Sequence, residues 1–137
     1  MKALGIDHGD KRIGIAVSDD LGMLAHPLEY ILVEPYEVFL KRLKTIVAER
    51  QIEQIVVGMP RNMDGSYGPQ ALKVQGFMEK LKKSVVVPIQ SWDERLTSVS
   101  AMKNLREAGV NAKKAKAKVD ASAAAVMLQA YLDSLAG

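Results

Sequence analysis

Two apolar runs near the amino terminus have the composition and length of β-strands. They cover residues 2–7 and 12–18 and are joined by the four-residue link HGDK, which contains a glycine. A link this short favours an antiparallel hairpin. Both faces of the first run carry small or aliphatic side chains, which is typical of a central strand that is covered on both sides. A third strand is expected around residues 27–32.

After residue 35 the spacing of the apolar positions changes to that of a helix. The apolar stripe of the first predicted helix consists of Phe39, Leu43, Ile46 and Val47. The next apolar run, residues 55–60, lies between two helical segments and therefore predicts a parallel strand in a crossover unit. The stripe of the second predicted helix consists of Ala71, Val74, Met78 and Leu81. Residues 85–92 return as a strand, which we expect at an edge of the sheet because Pro88 cannot donate a ladder hydrogen bond.

Two more helices are expected in the last third of the chain. Thr97 suits the N-cap of the first of them, and Gly109 stands where that helix would end. Residues 111–118, NAKKAKAK, follow as a basic loop. The alanine-rich segment 119–135 predicts a final helix that packs on the core. Its core-facing residues are expected to be Ala124, Met127, Leu128, Tyr131 and Leu135. The order β-β-β-α-β-α-β-α-α is that of an α/β protein.

The composition suits one domain with one buried core. The chain has 137 residues, of which 48% are hydrophobic and 26% are charged, so we expect a single domain over residues 1–137. It has no cysteine, which excludes disulfide scaffolds and thiolate zinc sites. With two histidines in the chain, a histidine-rich metal centre is disfavoured. Carboxylates remain as ligands for a hard cation such as Mg²⁺ or Mn²⁺.

The amino-terminal apolar run does not have the features of a targeting segment. It meets Asp7 after a few residues and lacks a small-residue cleavage site. No stretch approaches the roughly 18 apolar residues of a membrane span. We therefore expect a cytoplasmic protein with no membrane partner. The formal net charge is +3 and the pI is near 9.1, with the basic excess concentrated between residues 103 and 118.

Three acidic residues lie at the ends of predicted elements. Asp7 closes the first strand, Glu94 follows the last strand, and Asp120 begins the final helix on the stripe that should face the sheet. Each also has an ordinary structural explanation. Asp7 suits a turn, Asp120 suits the favourable dipole at a helix N-terminus, and Glu94 suits a solvated loop.

Taken together, the three acids favour a metal-dependent site. Two strand ends and an inward-facing helix start can bring three carboxylates to one edge of a sheet, where they repel each other unless a cation is bound. A divalent metal ion removes that repulsion, and it can also activate water and neutralise the charge that builds on a phosphodiester. The basic residues expected to hold phosphates beside the acids are Lys11, Arg12, Arg61, Arg95, Lys113, Lys114, Lys116 and Lys118.

Four motifs, spread in order over nearly the whole chain, carry a family resemblance. They are GIDHGDKRIGIAVSD, GMPRNMDGSYGPQA, DERLTSVSA and KVDASAAAVMLQAYL. Together they resemble the YqgF family of bacterial proteins, which is related to Holliday junction resolvases within the ribonuclease H-like superfamily. Four motifs at compatible spacing are a specific signal, whereas the first motif alone is shared with other members of that superfamily.

The resemblance implies a ribonuclease H-like fold, with a five-stranded mixed sheet of strand order 3-2-1-4-5 flanked by helices. It also implies that Asp7, Glu94 and Asp120 are the catalytic residues and the ligands of Mg²⁺ or Mn²⁺. The implied activity is a metal-dependent nuclease on structured nucleic acid, most often described as maturing the 5′ end of the precursor of 16S ribosomal RNA. Related junction resolvases place an acid after the fourth strand, where this chain reads GMPRN. Glu94 must therefore reach further to join Asp7, and Asp93 is the candidate for the fourth carboxylate that those resolvases use.

Three other functions remain open at the level of the sequence. A Holliday junction resolvase would need two active sites and hence a dimer. A non-catalytic RNA-binding factor in ribosome assembly would keep the fold without efficient chemistry. A sugar-kinase or actin-like nucleotide binder is disfavoured, because those proteins close two such domains over the nucleotide. Nucleic acid, as precursor RNA or branched DNA, is the expected partner. The sequence leaves open the natural substrate, the cleavage polarity, the number of metal ions, and whether the protein is a monomer or a dimer.

Overall fold

In the computed structural model, the centre of the fold is a five-stranded mixed sheet with the strand order β3-β2-β1-β4-β5. The structure describes residues 1–97 and 119–136, with side chains from residue 123 onward in the second range. The strands are β1 (Ala3–His8), β2 (Arg12–Ser18), β3 (Ala25–Leu32), β4 (Gln54–Met59) and β5 (Ile89–Asp93). The helices are α1 (Tyr36–Glu49), α2 (Pro69–Lys82) and α3 (Val119–Ala136), and a 3₁₀ turn (Glu94–Leu96) follows β5. The predicted fold and strand order are confirmed.

β1 lies at the middle of the sheet. It pairs antiparallel with β2 and parallel with β4, as the hairpin and the crossover unit predicted. The N–H of Gly9 donates to the carbonyl of Arg12 over 2.9 Å and closes the link between β1 and β2. β4 in turn pairs in parallel with β5. β1, β4 and β5 therefore run in the same direction, and their carboxyl ends lie at one edge of the sheet.

The two faces of β1 carry side chains of different size. Leu4 and Ile6 belong to the larger core, which is formed with α1 and α2. Ala3 belongs to a second core, formed with α3. Gly5 lies on the same face as Ala3, and a Cβ built on it would be 2.9 Å from the Cβ of Leu128. The small residues on this face allow α3 to approach the sheet closely.

A buried glutamine links α3 to the far side of the sheet. Gln129 is 1% exposed. Its carbonyl oxygen accepts a hydrogen bond from the N–H of Ala25 over 2.9 Å, and its amide group donates to the carbonyl of Met23 over 2.9 Å. These bonds satisfy backbone groups at the start of β3, which explains a polar residue in this core.

Two sequence predictions at element ends are wrong. β5 begins at Ile89 rather than at residue 85, because Pro88 has no N–H to donate and contributes only its carbonyl, which accepts from the N–H of Ile55 over 2.9 Å. β5 is nevertheless the edge strand, as expected.

Leu135 is 57% exposed rather than in the core. Leu132 occupies the buried position one turn after Leu128, and Leu135 lies in the last turn of α3 beside a surface pocket.

The helix predicted to end at Gly109 and the basic loop 111–118 lie outside the described residues. Thr97 is described and follows the 3₁₀ turn, where its N–H donates to the carbonyl of Glu94 over 3.1 Å. None of the described helices has the length and hydropathy needed to cross a membrane.

Candidate active site

The carboxyl ends of three parallel strands bring two of the predicted acids to the same place. Asp7 is the penultimate residue of β1, and Glu94 is the first residue after β5. Because β1, β4 and β5 are parallel, both acids stand at the same edge of the sheet. The sequence pattern predicted this edge correctly, because a carboxylate that ends a buried parallel strand has no other edge to occupy.

The side chains of Asp7 and Glu94 are in direct contact. Burial is the largest cause that raises the pKa of Glu94 from its usual 4.5 to about 7, followed by the negative charge of Asp7 and a hydrogen bond with Asp7, and then by the charge of Asp93. Two carboxyl groups this close disfavour double ionisation, so Glu94 keeps its proton to a higher pH than an isolated glutamate does. A bound cation would remove the same repulsion.

Glu94 reaches Asp7 across the intervening strand. β4 lies between β1 and β5, and the carboxyl group of Glu94 lies directly over Gly58 of β4. A Cβ built on Gly58 would be 2.5 Å from the Oε1 atom of Glu94. The absence of an acid after β4, in GMPRN, is therefore accompanied by an acid after β5 whose side chain extends over that strand.

A pocket opens at the acid pair. It has a volume of about 450 Å³. Its lining consists of Asp7, Glu94, Thr97, Ala123, Val126 and Met127. The last three residues belong to the amino-terminal half of α3, so this helix forms the apolar wall opposite the acids. The pocket combines carboxylates with a partly apolar wall, as binding sites with a few placed polar groups commonly do.

Asp120 is the second residue of α3, and its side chain lies outside the described part of the structure. Ala123, three residues later on the same helix, lines the pocket. The start of α3 is therefore on the same side of the sheet as the acid pair. Among the described side chains there is no cluster of three or more histidines and acids arranged to hold a metal ion; the Asp7–Glu94 pair supplies two.

Asp93 has partners different from those of its neighbour Glu94. Arg95 donates to Asp93 with an Nη2–Oδ2 distance of 2.7 Å, and Arg61 lies 3.4 Å from the same oxygen. The hydrogen bond with Arg95 is the main cause that lowers the pKa of Asp93. Asp93 also accepts a bond from the backbone N–H of Arg95, which starts the 3₁₀ turn that carries Glu94. Asp93 thus holds two arginines and orients the turn beside the acid pair.

The loop after β4 is folded around Arg61. Its guanidinium donates to the carbonyl of Gly65 and lies 4.7 Å from the centre of the Tyr67 ring. Gly65 has a φ of 88°, a conformation that residues with a side chain rarely adopt. Arg95 reaches the same loop through the carbonyl of Met63. Arg61 and Arg95 are therefore held together by Asp93 and by the loop after β4.

The remaining basic candidates divide into two groups. Lys11 and Arg12 are exposed in the hairpin link and at the start of β2, and the guanidinium carbon of Arg12 lies 5.0 Å from the centre of the Tyr30 ring. The other group lies outside the described residues and consists of Lys113, Lys114, Lys116 and Lys118.

Sequence reasoning did not assign two residues of this site. Gly58 underlies Glu94, and Thr97 lines the pocket with a buried hydroxyl that has no hydrogen-bond partner among the described residues. The position of Gly58 at the end of an apolar strand gave no signal for a contact with Glu94. Thr97 was interpreted as a helix cap, although its spacing of three from Glu94 could have suggested a place at the same site.

Comparisons with known proteins agree with this geometry. Residues 1–134 match the family model described as RuvX, Holliday junction resolvase. The chain belongs to this family. A protein of Desulforamulus reducens named "Putative pre-16S rRNA nuclease" is 48% identical over 134 residues, which are 98% of each chain. A protein of Halothermothrix orenii with the same name is 46% identical over 97% of this chain and 95% of its own length. The predicted resemblance to the YqgF family is confirmed.

Solved structures agree on the fold. The structure of Thermus thermophilus RuvC has a TM-score of 0.55 and 15% identity, over 100% of this chain and 97% of that chain. The Holliday junction resolvase of fowlpox virus has a TM-score of 0.58 and 12% identity, over 98% and 99% of the two chains. At these identities the likeness establishes a common ribonuclease H-like architecture.

Proposed function

We propose that the protein is a nuclease that depends on a divalent metal ion, with Asp7, Glu94 and Asp120 as its catalytic acids. The observation that carries this proposal is the contact between Asp7 and Glu94 at the carboxyl edge of the sheet. Two acids brought together from strands that are distant in the sequence raise the free energy of the folded protein. Such an arrangement is common where a protein uses the pair for chemistry.

The acid pair has the donor set that Mg²⁺ and Mn²⁺ prefer, since both ions favour carboxylate oxygens. Burial raises the pKa of Glu94 most, and the negative charge of Asp7 raises it further; a bound cation would offset the second of these effects. When bound, the ion would activate water and offset the charge that develops on the phosphodiester. Asp7 and Glu94 would hold it, together with Asp120 from the start of α3.

The residues around the pair would orient the substrate. The guanidinium groups of Arg61 and Arg95 are held by Asp93, the residue before Glu94. Because each guanidinium carries five N–H donors, each arginine can bind a phosphate without giving up its present contacts. We assign the same role to Lys11 and Arg12. We also assign phosphate contacts to the lysines that precede Asp120 in the sequence, at 113, 114, 116 and 118.

The substrate proposed first is the precursor of 16S ribosomal RNA, cleaved at its 5′ end. The names of the relatives that match along almost their entire length support this choice. The cytoplasm is the compartment where such a precursor is available. A DNA four-way junction is the second candidate, because the family model is described as a Holliday junction resolvase.

The decisive experiment compares both substrates with the purified full-length protein. Labelled precursor RNA and a labelled four-way junction are incubated with Mg²⁺, with Mn²⁺ and with chelator. We expect cleavage of the RNA near its mature 5′ end with either metal and none with chelator. Symmetric cleavage of the junction alone would replace the RNA assignment with the resolvase. Binding of RNA without cleavage under every condition would contradict the nuclease proposal.

Asp7→Asn tests the acid pair directly. We expect cleavage to fall by at least about a hundredfold, because the substitution removes a charge from the proposed metal site. The matched control is Asp10→Asn, since Asp10 is in the same hairpin with a side chain that is 74% exposed and 3.7 Å from Lys73. The control should cleave at the wild-type rate. Thermal unfolding of both variants checks the fold, and equal cleavage by Asp7→Asn and wild type would remove Asp7 from the mechanism.

A further inference from the structure

The path from Glu94 to Asp7 crosses the backbone of β4. Neighbouring strands lie about 4.8 Å apart, so β5 is roughly two such spacings from β1. Ile6 of β1 is paired with Val57 of β4. Continuing this register by one residue places Asp7 beside Gly58, and Gly58 is itself paired with Trp92 of β5. Gly58 is therefore the residue of β4 that separates the two acids.

Gly58 also lies on the face of the sheet where the acids meet. Val57 points into the core beneath α1 and α2, whereas Val56 points into the core beneath α3. Side chains alternate along a strand, so a side chain at 58 would point to the face of α3, where the pocket opens. The space that it would fill is already occupied. A Cβ at 58 would be 2.5 Å from Oε1, 3.2 Å from Cδ and 3.3 Å from Cγ of Glu94.

We propose that Gly58 is a positioning residue, because its missing side chain leaves the space over β4 through which Glu94 reaches Asp7. This inference rests on the function proposed above and adds a requirement to it. An acid after β5 can act with Asp7 only if the strand between them carries no side chain at this point.

A side chain added at position 58 should disturb the site without disturbing the fold. The atoms that a Cβ at 58 would displace are the end of one flexible side chain, and they can move without shifting the backbone. At Gly5, in contrast, an added Cβ would meet the Cβ of Leu128, which is fixed by the helix backbone. Gly58→Ala should therefore move the carboxyl group of Glu94 while the packing of the sheet is retained.

The test compares Gly58→Ala with Gly76→Ala in the full-length protein. Gly76 is in α2, and apart from its chain neighbours and the backbone of that helix no described heavy atom lies within 4 Å of a Cβ built on it. For Gly58→Ala we expect kcat to fall about tenfold or more with KM changed by less than about twofold, and the affinity for Mn²⁺ alone, measured by calorimetry, to fall about tenfold. The melting temperature should stay within about 3 °C of wild type. Gly76→Ala should retain kcat, KM and Mn²⁺ affinity.

A double-mutant cycle shows whether Gly58 acts through Glu94. Glu94→Gln removes the charge that Gly58 is proposed to place. Adding Gly58→Ala to that variant should then cause no further loss of kcat or of Mn²⁺ affinity, because effects that pass through one group are not additive. Additive losses in the double variant would overturn the inference.

A crystal structure of Gly58→Ala makes the test independent of activity. We expect the carboxyl group of Glu94 to be displaced from β4 and separated from Asp7. If the two carboxyl groups remain in contact beside Ala at 58, the inference is wrong, while the proposed nuclease function is unaffected. If wild-type protein cleaves neither RNA nor a junction, the proposed function fails, and the crystal structures still decide whether Gly58 places Glu94.

Discussion

Glu94 and Asp93 are adjacent in the sequence, and their neighbours give them opposite properties. Burial and Asp7 raise the pKa of Glu94 to about 7, whereas Arg95 lowers the pKa of Asp93. The sequence places both acids after the last strand and contains no signal that separates them. The separation arises because Asp93 faces two arginines and Glu94 faces another acid. Asp93 is consequently a poorer candidate for a metal ligand than its position suggested.

The raised pKa of Glu94 makes the stability of the metal-free protein depend on pH. In the unfolded chain Glu94 titrates near 4.5, and in the folded protein near 7. Between these pH values the folded state binds more protons than the unfolded state. The contribution of Glu94 to the free energy of unfolding is therefore fully present below about pH 4.5 and is lost as the pH rises through 7. Each pKa unit corresponds to about 1.4 kcal/mol, so the shift from 4.5 to about 7 sets an upper limit of about 3.5 kcal/mol for the loss.

Glu94→Gln should remove this dependence, because the amide stays neutral throughout the range. The measurement is the free energy of unfolding in urea, with chelator present, at intervals from pH 4.5 to 7.5. As the pH rises, the free energy of unfolding of the wild type should fall relative to that of the variant. Two curves that stay parallel over this range would contradict the assigned pKa.

At the scale of elements, the contact between α3 and β1 depends on small residues on both partners. The sequence predicted an alanine-rich helix packed on the core, and the burial of Ala124 and Leu128 confirms it. It did not indicate that Gly5 is the strand residue beneath Leu128. The closeness of the contact matters for the site, because the amino-terminal half of α3 forms one wall of the pocket.

Gly5→Ala should therefore destabilise the protein. The added methyl group would meet the Cβ of Leu128 at 2.9 Å and the carbonyl oxygen of Ala124 at 3.3 Å, and both belong to the same helix. Overpacking of this kind typically lowers the free energy of unfolding by about 1–3 kcal/mol. The measurement is urea denaturation beside Gly76→Ala, which should instead stabilise α2 by up to about 1 kcal/mol. If Gly5→Ala has the same free energy of unfolding as the wild type, α3 packs less closely on β1 than this contact indicates.

At the scale of the whole molecule, charge decides how the protein meets a polyanion. The formal net charge is small, at +3, so affinity for nucleic acid depends on where the basic residues lie rather than on their number. The described part of the molecule places Arg61 and Arg95 on Asp93, the residue before Glu94. The four lysines that precede Asp120 in the sequence would extend this basic surface along the substrate.

Replacing those lysines should weaken the salt dependence of RNA binding. Each phosphate contact releases condensed counterions, so the slope of log affinity against log salt concentration should fall by about 3 in magnitude when four contacts are lost. The variant carries alanine at Lys113, Lys114, Lys116 and Lys118. The measurement is a series of binding titrations from low to moderate salt with the Asp7→Asn protein, which avoids cleavage.

The control removes the same number of positive charges from α1 and α2. It carries alanine at four exposed lysines of α1 and of α2 and its C-cap, which are Lys41, Lys44, Lys82 and Lys83. Its salt slope should be close to that of the parent. Equal salt slopes for this control and for the variant at residues 113, 114, 116 and 118 would show that those four lysines do not contact the phosphates of the RNA.

The sequence by itself determined the order of the described elements, the central position of β1, the edge position of β5 and the placement of Asp7 and Glu94 at strand ends. These features follow from local chemistry: the period of apolar positions, the missing N–H of proline, and the special cost of a carboxylate at the end of a buried strand. The exceptions lie at element ends. The start of β5 and the exposure of Leu135 depended on partners that the periodicity does not specify.

Only the tertiary structure decided how Glu94 reaches Asp7. These residues are distant in the sequence, and their contact depends on β4 lying between their strands and on Gly58 leaving room above it. The partners of Asp93 and the glycine beneath α3 were decided in the same way. Periodicity reports which face a residue occupies, whereas contacts between strands and helices depend on register and on the distance between layers, which the packing of the whole molecule sets.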